Sequence, residues 1–308
     1  MAVTASMVKE LREMTGAGMM DCKKALAQTD GDMGKAVEFL REKGLAAAEK
    51  KAGRIAAEGI VATKVSSDNK VGSIVEVNSE TDFVAKNEKF RAYVDAVATM
   101  ATKTSATDID TFLNEKWELD SSKTVNEELS SQIAIIGENL NIRRFEKIDA
   151  DNGYVVSYIH GGGRIGVLVQ VETDHFNEAA KEAANNIAMQ IAAINPKYVT
   201  RDEISEEFIA HETEILKAQA KNENPDKPDN IIEKMIIGRL NKELKEYCLV
   251  DQAYIKDGDL TVAKYLDSVA KEIGSPITIK RFVRYETGEG LEKKSENFAE
   301  EVAKQMGK

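Results

Sequence analysis

Few side chains in this sequence stand where covalent chemistry would need them. "GGGRIG" (Gly161–Gly166) is a literal G-x-G-x-x-G, the pattern of a dinucleotide-binding loop. Such a loop runs from a strand into a helix, because amides at the helix N-terminus hold the pyrophosphate. Here the next residues are "VLVQVE", which read as a strand, so the context for a cofactor is missing. "HGGG" (His160–Gly163) has the look of an esterase oxyanion loop, yet no G-x-S-x-G elbow supplies a nucleophile. His160, His175 and His211 lack triad or metal-ligand spacing and read as surface histidines. Cys22 and Cys248 lie far apart and outside any C-x-x-C, which argues against a disulfide framework and against a zinc site. With no nucleophile beside an oriented base, the chain is not expected to be an enzyme, nor to need a cofactor or a metal.

The chemistry that remains is recognition by protein surfaces. In "SETDFVAKNEKF" (Ser79–Phe90) a carboxylate and a large ring, Asp82 and Phe83, stand side by side. They fall in a short connector, Thr81–Lys86, between a strand that ends near Asn78 and a helix. Asn87 is a good cap for that helix, and Phe90, Val94 and Val97 form its apolar stripe. On pattern alone Phe83 reads as core, because large aromatics are mostly buried. In "TGAGMMDCKK" (Thr15–Lys24) Met19 and Met20 stand at a turn between two helices. One of them is expected to fill the core, as flexible methionines do. Adjacent helical positions point about 100° apart, so at least one faces a partner, with Lys23 beside it.

The first segment reads as three short helices. Thr4 or Ser6 caps the first, with Met7, Val8, Leu11 and Met14 at helical spacing. "TGAG" breaks it, and the second helix runs from Met19 to Thr29. Asp32 caps the third, and Gly44 is expected to end it. A charged, Ala-rich connector, "LAAAEKKAGRIAAE", follows.

The middle of the chain holds an internal repeat. "GIVATKVSSDNKVGSIVEVNSETD" (from Gly59) lies without a gap over "GYVVSYIHGGGRIGVLVQVETDHF" (from Gly153). Gly59/Gly153, Val61/Val155, Gly72/Gly166, Val75/Val169 and Val77/Val171 are identical pairs. Each copy reads as a β-hairpin. "IGENLNIRRF" (Ile136–Phe145) then matches "IGSPITIKRF" (Ile273–Phe282) as a third strand. Two units in tandem result, each a three-stranded antiparallel sheet with helices on one face, an α+β arrangement. The repeat also bears on Phe83. Asp82 aligns with Phe176 and Phe83 with Asn177, so the shared fold does not require a ring at Phe83.

The second copy carries extra residues between Pro196 and Val250. One stripe holds Ile204, Phe208, Ile215, Leu216 and Gln219. Another holds Ile232, Met235, Ile236, Leu240, Leu244 and Tyr247. Joined by the turn cluster "ENPDKPDN", they read as an antiparallel helical hairpin. It packs on itself alone or offers its flank to a partner or to a second copy, as in a homodimer. The tail reads as a further short amphipathic helix, with Phe298 and Val302 on one side. The expected parts are a bundle at 1–53, a first unit at 54–150, a second at 151–290 with the hairpin at about 196–250, and the helix at 291–308.

Composition sets the class of partner. The chain has 308 residues, 53 Asp and Glu against 42 Lys and Arg, and a formal net charge of −11. That balance is poor for sequence-independent nucleic-acid binding, although Lys50, Lys51 and Arg54 form a local basic patch. The N-terminus has no apolar signal region, and no run of ~18 apolar residues occurs. A soluble, cytoplasmic protein is expected, without membrane contact.

"LREMTGAGMMDCKKAL" (Leu11–Leu26), "TDFVAKN" (Thr81–Asn87), "IGENLNIRR" (Ile136–Arg144), "HGGGRIGVL" (His160–Leu168) and "GEG" (Gly288–Gly290) together resemble the bacterial elongation factor Ts family. They occur in the family's order and span nearly the whole chain. The resemblance implies a guanine nucleotide exchange factor for elongation factor Tu. It implies a ubiquitin-associated-like N-terminal bundle, a two-part core, a helical coiled-coil insertion and a C-terminal helix. It places Thr81, Asp82, Phe83 and Val84 at a wedge entering the partner's G domain near its Mg²⁺. It places Met19, Met20 and Lys23 on the G-domain contact, and Ile136, Gly137 and His160 in the interface. The rival reading is a ubiquitin-associated-type adaptor that binds polypeptides through the Met19–Met20 turn without exchange activity.

Overall fold

Helical spacing, caps and strand alternation build the chain into an α+β fold. The computed structural model describes residues 3–292; the expected C-terminal helix at 291–308 lies outside the described residues beyond Glu292. Helices α1 (Ala5–Thr15), α2 (Met19–Gln28) and α3 (Met33–Lys51) come first. Thr4 caps α1 by accepting from Met7 N, and Asp32 caps α3 by accepting from Lys35 N. Val8, Leu11, Cys22, Ala25, Leu26 and Ala36 form their shared core.

Gly44 does not end α3. The helix runs on to Lys51 and takes in much of the expected connector. A Cβ at Gly44 would lie 3.7 Å from both Ala134 Cβ and Ser130 O, so the residue sits where α3 crosses a later helix. A glycine without positive φ is tolerated in a helix when a neighbouring helix packs over it, and packing outweighs its low propensity.

The first repeat follows as β1 (Glu58–Val65), β2 (Val71–Ser79), α4 (Asp82–Ala85), α5 (Glu88–Ala101), α6 (Ile109–Asn114), α7 (Val125–Ile136) and β3 (Asn141–Asp149). The second is β4 (Tyr154–His160), β5 (Ile165–Glu172), α8 (Glu178–Ile194), α9 (Glu206–Glu223), α10 (Asp229–Tyr247), β6 (Ala253–Tyr254), β7 (Asp257–Thr261), α11 (Val262–Ile273) and β8 (Thr278–Glu286). The sheets are β1-β2-β3 and β4-β5-β8, both antiparallel and three-stranded as the repeat implies, and in each the matched third strand pairs with the second strand of the hairpin. Both carry an irregularity in register at equivalent places, Glu76/Val77 and Gln170/Val171. The small β6-β7 hairpin has no alternating pattern and escaped the sequence reading.

One face of each sheet is covered by helices. Val75 and Val77 meet α5 through Phe90, Val94 and Val97, and Val167, Val169 and Val171 meet α8 and α11. The opposite faces cover each other, with Val61, Ile74, Ile148, Val155, Leu168 and Val283 between them. Strands buried on both faces lose the apolar-in, polar-out contrast, which is why β2 is almost wholly buried.

The helical hairpin forms, with a seam that differs from the expected stripe. Leu216, Ala220, Ile232 and Ile236 are buried along the seam and Leu244 is buried nearer its base, whereas Ile215 and Gln219 are exposed. Ile209, Thr213, Leu216 and Ala220 follow the 4-3-4 spacing of a two-helix seam, narrower than a globular stripe. Among the described residues, no helix is long and apolar enough to cross a membrane.

Candidate protein-interaction site

The strand β2 ends at Ser79, and the chain turns into α4, which is only four residues long. Thr81 caps it, its hydroxyl accepting from Val84 N at 3.3 Å. Asn87 then caps α5 by accepting from Lys89 N and Phe90 N. Between two caps the backbone has little freedom. Val84 is half-buried and Ala85 buried, so they seat α4 on the core and turn Asp82 and Phe83 outward. Phe83 is 81% exposed. The core reading of this ring fails, because the buried side of the turn is already filled by Val84, Ala85 and Phe90.

Asp82 is exposed and accepts from Lys86 Nζ at 2.6 Å, one helical turn on. The hydrogen bond from this ammonium holds its carboxyl below the usual carboxylate range. Asp82 lines a cleft of about 380 Å³ with Lys86, Arg91, Gly161 and Gly162. Arg91 spans it, donating through Nε to Ala85 O at 3.0 Å and through a terminal nitrogen to Gly162 O at 2.8 Å. The β4–β5 tip of the second repeat is thereby tied to the turn of the first. His160 stands exposed at the start of that tip, its Nδ1 3.0 Å from the Tyr158 hydroxyl. The strand β5 follows at Ile165, so "GGGRIG" is a hairpin tip and not a strand-to-helix loop.

Ile136 and Gly137 lie at the end of α7. Ile136 is half-buried against the core of the first sheet. Gly137 closes the helix in the left-handed region, φ +88°, where glycine is favoured. The next residue, Glu138, reaches across to the turn. Its carboxylate accepts from Glu80 N and Thr81 N, both at 3.1 Å, and from Thr81 Oγ1 at 2.6 Å. Glu80 reciprocates by accepting from Asn139 N at 2.6 Å. Thr81–Val84 and Ile136–Gly137 thus form one patch. Glu138, Asn139, Glu80 and Arg91, which hold this patch, were not among the expected site residues, although Glu138 and Asn139 lie within "IGENLNIRR" and Glu80 within "SETDFVAKNEKF".

Met19 and Met20 begin α2, at 56% and 74% exposure. Neither fills the core, contrary to the expectation for one of them. They occupy the first turn, which overhangs the bundle, and the inward face is taken by Cys22, Ala25 and Leu26. Lys23 is exposed, and no ion pair holds it among the described residues. No hydrogen bond joins this pair of methionines to α4 among the described residues. The link is indirect: α3 packs on α7, where Arg41 and Glu127 form an ion pair, and α7 ends at the patch.

Comparison with known proteins agrees with the architecture. The family profile described as elongation factor TS matches residues 80–289. A relative named elongation factor Ts from Clostridium botulinum (strain Eklund 17B / Type B) is 58% identical over 306 residues, covering 99% of this chain and 100% of that protein. One of the same name from Clostridium perfringens (strain 13 / Type A) is 56% identical over 306 residues, with 99% and 100% covered. A third, from Clostridioides difficile (strain 630), is 56% identical over 304 residues, with 99% of each covered. The profile's span holds the second sheet, β3, the Asp82–Phe83 turn and its brace, the relatives match the first sheet as well, and the chain belongs to the elongation factor Ts family, a family of translation elongation factors.

Proposed function

We propose that this chain is a guanine nucleotide exchange factor for elongation factor Tu, acting through Thr81, Asp82, Phe83 and Val84. The single observation that carries the reading is an aromatic ring 81% exposed on a four-residue helix held between two caps. Large exposed rings on rigid supports are expensive to leave in water and suit a pocket on a partner. Met19, Met20, Lys23, Ile136, Gly137 and His160 supply further contacts in this reading.

An exchange factor makes no bonds. It binds the GTPase more tightly without nucleotide than with it, and the nucleotide weakens the factor by the same ratio. Inserting Phe83 between partner helices contributes roughly 2–3 kcal/mol of apolar burial, available only when the pocket opens. Asp82 brings a negative charge toward the groups that order Mg²⁺ and phosphate. Its pair with Lys86 is exposed and spaced i,i+4, a weak and solvent-screened kind of ion pair, so it opens readily on docking. Ring and carboxylate both favour the nucleotide-free state, as a population shift requires.

The test is stopped-flow release of fluorescent GDP from elongation factor Tu. Phe83→Ala, folded as the parent, should lose most of the acceleration, and parent rates would refute the assignment. The exposure of both methionines also suits an adaptor that binds polypeptides without exchange. Capture from cytosolic extract separates the two, since one abundant GTPase supports exchange and a mixed set supports the adaptor.

A further inference from the structure

We infer that Glu138 is the positioning residue that aims Phe83, an inference that rests on the wedge reading above. A helix of four residues does not hold itself together, because one turn fixes many dihedrals for few hydrogen bonds. What holds α4 is its cap, and what holds the cap is Glu138. The Thr81 hydroxyl donates to Glu138 Oε1 at 2.6 Å, which leaves its lone pairs for Val84 N. The other carboxylate oxygen takes Glu80 N and Thr81 N, the last two amides before α4. Hydrogen bonds to a carboxylate are stronger than neutral ones, and three converge here on one side chain.

Glu138 is itself anchored. Asn139, the next residue, donates its N–H to Glu80 Oε1 at 2.6 Å and its side-chain amide to Arg54 O at 2.8 Å. The two strand ends therefore exchange carboxylates.

The sister repeat is an internal control. Ser275 occupies the place of Glu138 and Asp174 that of Glu80. Ser275 Oγ accepts from Asp174 N at 3.3 Å and from Thr173 Oγ1 at 3.4 Å, two long neutral bonds where the first repeat has three to a carboxylate. That copy enters α8 directly under the Asn177 cap, without a short helix. Its nearby ring, Phe176, is stacked on Tyr154 with centroids 4.1 Å apart. The same strand-end contact has become a carboxylate brace only in the copy that presents an exposed ring.

The test compares Glu138→Ala, Glu138→Gln, Phe83→Ala and the double variant Phe83→Ala/Glu138→Ala in GDP release from elongation factor Tu, with thermal unfolding of each. Misplacing a docking group by about 1 Å costs on the order of tenfold to a hundredfold, and Glu138→Ala should lose that much of the maximal release rate. Glu138→Gln should recover part of it, because one acceptor oxygen remains. In the Phe83→Ala background the Glu138 substitution should cost much less, only what Asp82 on the same short helix still contributes. A merely structural role would instead lower the rate by the same ratio in both backgrounds, and that outcome, or a parent rate for folded Glu138→Ala, overturns the inference while leaving the wedge intact. A parent rate for Phe83→Ala overturns both. Should Glu138→Ala fail to fold, Glu138→Gln and Thr81→Val carry the same comparison.

Discussion

Gly166 lies directly over Val61: a Cβ built on the glycine would fall 2.4 Å from Val61 Cγ1. The repeat reproduces the contact with roles exchanged, and a Cβ on Gly72 would fall 2.5 Å from Val155 Cγ1. The hairpin tips cross in the same sense. Val61 N donates to Gly163 O at 2.7 Å, and Val155 N donates to Asn69 O at 2.7 Å. The two sheets are therefore docked face to face about an approximate two-fold, each hairpin closing over the first strand of the other.

This contact makes the glycines steric requirements. Neither has a positive φ, so only space is at stake. Gly166→Ala should destabilise by about 1–3 kcal/mol, the usual cost of overpacking a tight core. Urea unfolding measures it. Val61→Ala combined with Gly166→Ala should recover part of the loss, because the methyl in the way is gone.

Phe83→Ala tests whether the ring serves the fold. With 81% of it in water, its removal should change unfolding free energy by no more than about 0.5 kcal/mol. Thermal unfolding beside the GDP-release assay separates stability from activity. A cost of 2 kcal/mol or more, roughly that of a buried ring, would return Phe83 to the core.

Gly44→Ala should stabilise. The added methyl meets only ordinary contacts at 3.7 Å, and alanine gains about 0.5–1 kcal/mol over glycine inside a helix. A rise in melting temperature checks this. Gly44→Leu should do the opposite, by separating α3 from α7.

Glu76 predicts a pH dependence. Its side chain is fully buried between the sheets, paired to Arg144 Nε at 2.6 Å and to Arg143 at 3.1 Å, and it accepts from Gly288 N at 2.8 Å. Burial pushes its pKa up, but hydrogen bonds from Gly288 N, Asn78 and Arg144 outweigh burial, and the net value lies below the usual one. A depressed folded value means that the ionised form contributes stability above the unfolded value of about 4.3, and that this is lost as pH falls through the folded value. Glu76→Gln should cost about 1.5–3 kcal/mol at pH 7, the range for hydrogen bonds to a charged group. The difference between parent and variant should stay level down to about pH 5 and shrink below about pH 4.3. Denaturant titrations across that range decide it.

Much of the architecture was legible in the residues alone. The repeat implied both three-stranded sheets, because matched sequences follow matched backbone paths, and the folded chain decided that each third strand joins the second strand of its hairpin. Caps at Thr4, Asp32 and Asn87 marked helix starts, since a capping side chain bonds amides only two or three residues on. Asn177 at the place of Phe83 implied that the shared fold needs no ring there, although pattern alone placed Phe83 in the core, and its exposure was set by the packing of α4. Tertiary structure decided what local periodicity does not encode. Gly44 looked like a helix end, and only its crossing with α7 shows why the helix continues. Ile215 and Gln219 fitted a broad stripe, and the narrow seam of two helices left them in water. Met19 and Met20 were both displaced from the core by residues one turn further along α2. The brace from Glu138 to Thr81 joins residues far apart in the chain, and nothing in either neighbourhood announces the other. Spacing along one element determines which face it buries, whereas which faces and carboxylates then meet is set only when the chain closes on itself.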